Sequence, residues 1–217
     1  EIEERLVGSE MCIRDSPHYA PYNNRVALGS IIALQTVSVN NQNCLAMYML
    51  VVGIAMLQGA RHEHMHSITH AAQNLDIQIE IRELRKATDV DGVDAIILPG
   101  GESTAMRIAS KSENLYGQIW KTIQSQKTPV LGTCAGAILL SQQGLIETKI
   151  ERNAFGRQKE SFQSNIKVGI GEDDKFQGVF IRAPRFLQGS NFPVAWLGDE
   201  VVGCLLYTSP SPRDVLR

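Results

Sequence analysis

The chain has 217 residues, 43% of them hydrophobic and 20% charged, with a formal net charge of -2. That length and mixture suit one domain with a sizeable core and exclude a disordered or fibrous chain. The near-neutral balance gives no electrostatic basis for a nucleic-acid or membrane-surface partner.

Cys12, Cys44, Cys134 and Cys204 form no CxxC pair, so neither a disulfide framework nor a cysteine-rich zinc site is expected, and a reducing, cytoplasmic setting fits best. The most apolar stretch, residues 44–57, is too short for a bilayer span and contains Gly53. Glu3 and Glu4 argue against a signal peptide.

Residues 1–46 are punctuated by Pro17, Pro21, Asn23, Asn24, Asn40, Asn41 and Asn43, and residues 25–39 give at most one apolar segment. They read as an extension, with Met47 or Met49 as a natural start. From Val51 the pattern becomes regular. A buried strand over residues 51–57, a polar-faced helix over 61–74 and an alternating strand over 77–84 make a β-α-β unit. A turn-rich connection at 89–94 leads to Ala95-Ile96-Ile97-Leu98, an all-apolar run ending at Pro99-Gly100-Gly101. Such runs are buried on both faces, as parallel strands are.

A helical region follows over 103–126, then a buried strand at 129–132 and an apolar helix at 137–142. Strands alternating with helices predict a doubly wound α/β fold, its mostly parallel sheet covered by helices on both faces. After residue 145 the shorter alternations at 147–152, 161–168 and 178–182 predict antiparallel additions.

Gly132-Thr133-Cys134-Ala135-Gly136 joins a predicted strand to a predicted helix. A sharp strand-to-helix turn with small neighbours presents a nucleophile at the sheet's carboxyl edge, where the helix N-terminus is expected to lower the thiol pKa and the Ala135 N–H can face an oxyanion. Taken alone, the same residues also describe a small buried hydrophobe among packing glycines. Leu98-Pro99-Gly100-Gly101-Glu102-Ser103-Thr104 ends a second buried strand, where two glycines let amides approach a ligand and Ser103 can cap the next helix.

Five segments occur in one order: Met56-Leu57-Gln58-Gly59, residues 98–104, residues 132–136, Glu151-Arg152-Asn153-Ala154-Phe155-Gly156-Arg157-Gln158, and Val179-Phe180-Ile181-Arg182-Ala183-Pro184. Together they resemble the SNO/PdxT family, the glutaminase subunits of pyridoxal 5'-phosphate synthase, over about residues 51–184. The resemblance implies a flavodoxin-like, triad-type glutamine amidotransferase without metal or organic cofactor, which hydrolyses L-glutamine and passes ammonia to a synthase subunit. It assigns Cys134 as the nucleophile that forms a thioester, and Gly101 and Ala135 as the oxyanion hole. Gly101, Glu102, Ser103, Arg152, Ile181 and Arg182 would surround the substrate, where a guanidinium can pair with the α-carboxylate.

A cysteine amidase also needs a base and a carboxylate to orient it. In the family these come from a His-Pro-Glu segment near the C-terminus, whereas His18, His62, His64, His66 and His70 all precede Cys134. The expectation is therefore a domain over residues 47–203, C-terminally incomplete, with weak or absent turnover. Residues 204–217, like residues 10–16, resemble translated adapter sequence. A scaffold subunit that keeps the fold without the chemistry is an alternative. A zinc hydrolase is another, because His62-Glu63-His64-Met65-His66 matches H-E-x-x-H, although the third-ligand spacing of metzincins is lacking.

Overall fold

Leu50-Val51-Val52-Gly53-Ile54-Ala55, rich in β-branched residues, forms strand β1 (Leu50–Ala55), almost wholly buried. The computed structural model describes residues 49–126, 128–146, 149–169, 175–187 and 193–204. The expectations for residues 1–46 and for the tail beyond Cys204 lie outside the described residues.

β1 is followed by helix α1 (Arg61–Asn74), β2 (Ile79–Leu84) and β3 (Ala95–Leu98). Helices α2 (Ser103–Ala109) and α3 (Leu115–Gln126) lead to β4 (Val130–Gly132) and α4 (Ala135–Gln142). The four strands make one parallel sheet in the order β2-β1-β3-β4, the flavodoxin-like order in which the chain reverses direction across β1 and β3.

Alternate residues of each buried strand feed opposite faces. Val52, Ile54 and Ile97 pack with Ile68, Ala71 and Ala72 of α1. Ile96 and Leu98 pack on the other side with Met106, Leu115, Ile119, Ile123 and Leu139. The expected α/β sheet with helices on both faces is thus present.

The predicted helix over 103–126 is two helices. Residues 110–114 carry no apolar side chain to hold a helix on the core, and Asn114 sits at φ 48, a left-handed conformation that asparagine tolerates. The predicted helix at 137–142 begins two residues earlier, because Ala135 and Gly136 are themselves packed into the core.

The antiparallel part comprises β5 (Ile150–Glu151), β6 (Phe162–Val168), β7 (Lys175–Phe180), β8 (Arg185–Phe186), β9 (Pro193–Leu197) and β10 (Glu200–Cys204). β5 and β8 form a two-stranded ribbon, and the rest a sheet in the order β10-β9-β6-β7. Phe155, Phe162 and Phe180 cluster with ring centroids 4.8 to 6.1 Å apart, fastening the loop after β5 to this second sheet. Arg185 pairs with Glu200 and lies over the Phe155 ring.

Candidate active site

Parallel pairing sets Leu98 opposite Gly132, so the segments that leave β3 and β4 emerge side by side at the carboxyl edge of the sheet. The Thr133 N–H donates to the Leu98 carbonyl at 3.1 Å, and the next residue, Cys134, takes φ 45, ψ -101 before α4 begins. A non-glycine residue held at positive φ costs on the order of 1–3 kcal/mol and persists only when its surroundings enforce it. They do so here: a Cβ on Gly136 would stand 2.1 Å from the Leu98 carbonyl oxygen, and one on Gly132 2.7 Å from Leu140. The small residues around Cys134 are therefore a steric requirement of the bend.

The glycine pair after β3 comes up against this bend. A Cβ on Gly100 would be 3.3 Å from the Cys134 Cβ. The Gly100 carbonyl accepts from the Ala60 N–H at 3.0 Å. Because the peptide is trans, that bond turns the Gly101 N–H to the opposite side, toward Cys134, whose thiolate it and the Ala135 N–H both favour. The two amides expected as an oxyanion hole thus both lie near the sulfur.

The thiol pKa is not lowered, contrary to the expectation from the helix N-terminus. Burial pushes it up, and the amides of Ala135 and Gly101 with the nearby Arg182 charge only partly offset this. Burial thus works against the thiolate, so acyl transfer needs a proton acceptor.

Glu102, not Ser103, caps α2. Its carboxylate accepts from the Thr104 N–H at 3.0 Å and the Ala105 N–H at 2.5 Å, while Ser103 is the first helical residue and only 4% exposed. Burial raises the Glu102 pKa, but these amide bonds and Arg152 outweigh it, and the carboxyl is held below its ordinary value. Arg152 reaches Glu102 at 3.2 Å. Arg182, at φ 47 directly after the half-buried Ile181, donates from Nε to the Asn153 Oδ1 at 3.3 Å. The Phe155 N–H donates to the Ala183 carbonyl. Two loops are thereby tied together, each carrying an exposed guanidinium.

One residue without an assigned role in the sequence reading joins the site. His64 Nε2 lies 2.9 Å from Thr133 Oγ1, and burial holds its pKa below the ordinary histidine value against the opposing Glu63 charge. Its spacing carried the signal: residues 64, 68, 71 and 72 share one face of α1, the face that meets the sheet. His62 and His66, the pair of the zinc reading, are exposed, and among the described residues no three His, Cys, Asp or Glu gather as a metal site. Nor is any described helix long and apolar enough to cross a membrane.

Comparison with known proteins points to one family. Residues 54–200 match the model of the SNO glutamine amidotransferase family. Pyridoxal 5'-phosphate synthase subunit PdxT of Thermococcus onnurineus is 38% identical over 71% of this chain and 85% of its own length. The protein of the same name from Pyrococcus horikoshii is 39% identical over 70% and 84%. A crystal structure described as a glutamine amidotransferase superposes with a TM-score of 0.57 at 35% identity, covering 69% of this chain and 82% of the other. With the match spanning the parallel sheet, the cysteine bend and most of the antiparallel part, the chain belongs to the SNO glutamine amidotransferase family.

Proposed function

We propose that the chain is the glutaminase subunit of a cytoplasmic pyridoxal 5'-phosphate synthase. The observation that carries this reading is a cysteine held in a strained strand-to-helix bend with the Gly100–Gly101 pair packed against it. In the proposed reaction the Cys134 sulfur attacks the carboxamide carbon of L-glutamine, and the carbonyl oxygen takes negative charge between those amides. The C–N bond breaks, ammonia leaves with the thiol proton, and water then hydrolyses the thioester to glutamate. Ammonia passes to the synthase subunit.

Substrate would lie among Gly101, Glu102, Ser103, Arg152, Ile181 and Arg182, with its α-carboxylate on Arg152 and Arg182. Ser103, being buried, would contribute through its backbone.

The raised thiol pKa makes the proton acceptor decisive. His64 is engaged with Thr133, which leaves it a poor acceptor for this proton. Ammonia release from L-glutamine, measured with and without the synthase subunit and compared with Cys134→Ala, tests the reading. Slow release abolished by Cys134→Ala supports it. Binding of the synthase subunit with no Cys134-dependent release assigns a scaffold role instead. Normal turnover abolished by Cys134→Ala overturns the expected impairment.

A further inference from the structure

Helix α1 touches both halves of the oxyanion cradle. At its start, the Ala60 N–H holds the Gly100 carbonyl at 3.0 Å, which fixes the direction of the Gly101 N–H. One turn later, His64 Nε2 meets Thr133 Oγ1 at 2.9 Å, next to Cys134 and two residues from Ala135. Thr133 also faces the glycine pair, since a Cβ on Gly100 would come within 3.7 Å of Thr133 Oγ1. The two amides come from different strands, so their common aim depends on something that spans both, and this end of α1 does.

We propose that His64 is a positioning residue of the nucleophile bend: through Thr133 it holds the Cys134–Ala135 segment in register with the Gly100–Gly101 peptide gripped by Ala60. His64 is part-buried and tied to Thr133, which makes it a poor shuttle to solvent but a suitable strut. The inward face it shares with Ile68, Ala71 and Ala72 anchors the imidazole on the rigid side of the helix. Removing it would leave the sulfur in place but let the two amides drift apart. Oxyanion stabilisation falls steeply with such misplacement.

The inference rests on Cys134 being an acyl-accepting nucleophile but does not depend on glutamine as substrate, and the test keeps these apart. Two reactions of Cys134 are followed in the full chain by mass spectrometry of its peptide. In the first, p-nitrophenyl acetate acylates the sulfur: a C–S bond forms, p-nitrophenolate leaves, and the carbonyl oxygen carries charge on the way. In the second, iodoacetamide alkylates the sulfur with loss of iodide and develops no such oxyanion. Both draw on the same thiolate, so their ratio reports the cradle and is blind to thiol pKa and to general loosening.

For His64→Ala the acylation-to-alkylation ratio is expected to fall about tenfold. His64→Gln, which returns an amide nitrogen near the Nε2 position, should stay within about threefold of the parent chain. Thr133→Val should match the loss and Thr133→Ser should not. The double variant His64→Ala with Thr133→Val should be no worse than the poorer single variant, because both break one link. An unchanged ratio in His64→Ala, or losses that multiply in the double variant, overturns the proposal. If His64→Ala fails to fold, the contrast between Thr133→Val and Thr133→Ser and the ratio for His64→Gln decide the matter alone. Failure of L-glutamine to slow either reaction of the parent chain would count against the glutaminase reading, and the ratio would still decide the role of His64.

Discussion

The Nη2 atom of Arg152 lies 3.2 Å from Oε1 of Glu102, joining the loop after β5 to the N-cap of α2 beside the glycine pair. Both side chains are nearly half exposed, at 47% and 42%, so the pair adds only about 0–1 kcal/mol to stability. Its consequence is positional: the guanidinium is held beside Glu102, the residue that follows the glycine pair. Arg152→Ala is expected to raise KM for L-glutamine by about tenfold or more, the value of a charge-assisted hydrogen bond to the substrate carboxylate. The melting temperature should hardly move. Steady-state kinetics with the synthase subunit present, together with a thermal melt, check both halves.

Cys134 should titrate above the ordinary thiol value of 9.0, because burial disfavours its thiolate more than the Ala135 and Gly101 amides and Arg182 favour it. The rate of iodoacetamide alkylation against pH reads this directly. Arg182→Ala removes a favourable charge and should shift the curve further upward. The linked stability has a definite sign: the folded chain keeps this proton longer than the unfolded one, so the contribution is whole below pH 9.0 and declines as pH rises toward the folded value. Cys134→Ala should flatten that decline.

His64 gives the opposite slope. Its imidazole is held below the ordinary 6.5 by burial, against the Glu63 charge, so the unfolded chain takes up this proton first. Stability from this group is complete above pH 6.5 and is lost as pH falls from there toward the folded value. Melting temperatures of the parent chain and His64→Gln, compared from about pH 7 to about pH 5, should show a drop in the parent that the variant lacks.

Gly59, at φ +84, closes the turn after β1 with no room to spare: a Cβ there would lie 1.8 Å from the Gly100 carbonyl oxygen. Gly59→Ala should therefore cost about 3 kcal/mol, combining left-handed strain with overpacking against backbone. It should also displace the Gly101 amide. Chemical denaturation measures the first effect, and the reactivity of Cys134 toward p-nitrophenyl acetate the second.

The parallel core was legible because buried strands leave unmistakable traces. Residues 95–98 are apolar without exception, wholly buried and close on two glycines, whereas the strand expected to be buried before Cys134 is the part-buried edge of the sheet. The cysteine bend was legible from its flanking glycines, each of which the structure shows to be sterically forced. What escaped the sequence was set by tertiary burial. The thiol pKa follows from how deeply the bend sits, which no local pattern states. Glu102 displaces Ser103 as the cap because its longer side chain reaches two amides and still meets Arg152 from a distant loop. β8, β9 and β10 escaped because they are short or part-exposed, and β10 is irregular in register. For β9 and β10, the turn at Gly198, with φ +60, was the available hairpin signal.

On the proposed reading the Cys134 sulfur, beside the Gly101 and Ala135 amides, faces a site for the amide group of L-glutamine. The most direct test is intact-mass and peptide analysis of the full chain after exposure to a diazoketone analogue of glutamine. A single adduct on Cys134 is expected, forming more slowly when L-glutamine is added and missing from Cys134→Ala. Failure of the folded chain to form an adduct, or an adduct on Cys204 or on Cys134 that L-glutamine does not slow, would contradict it.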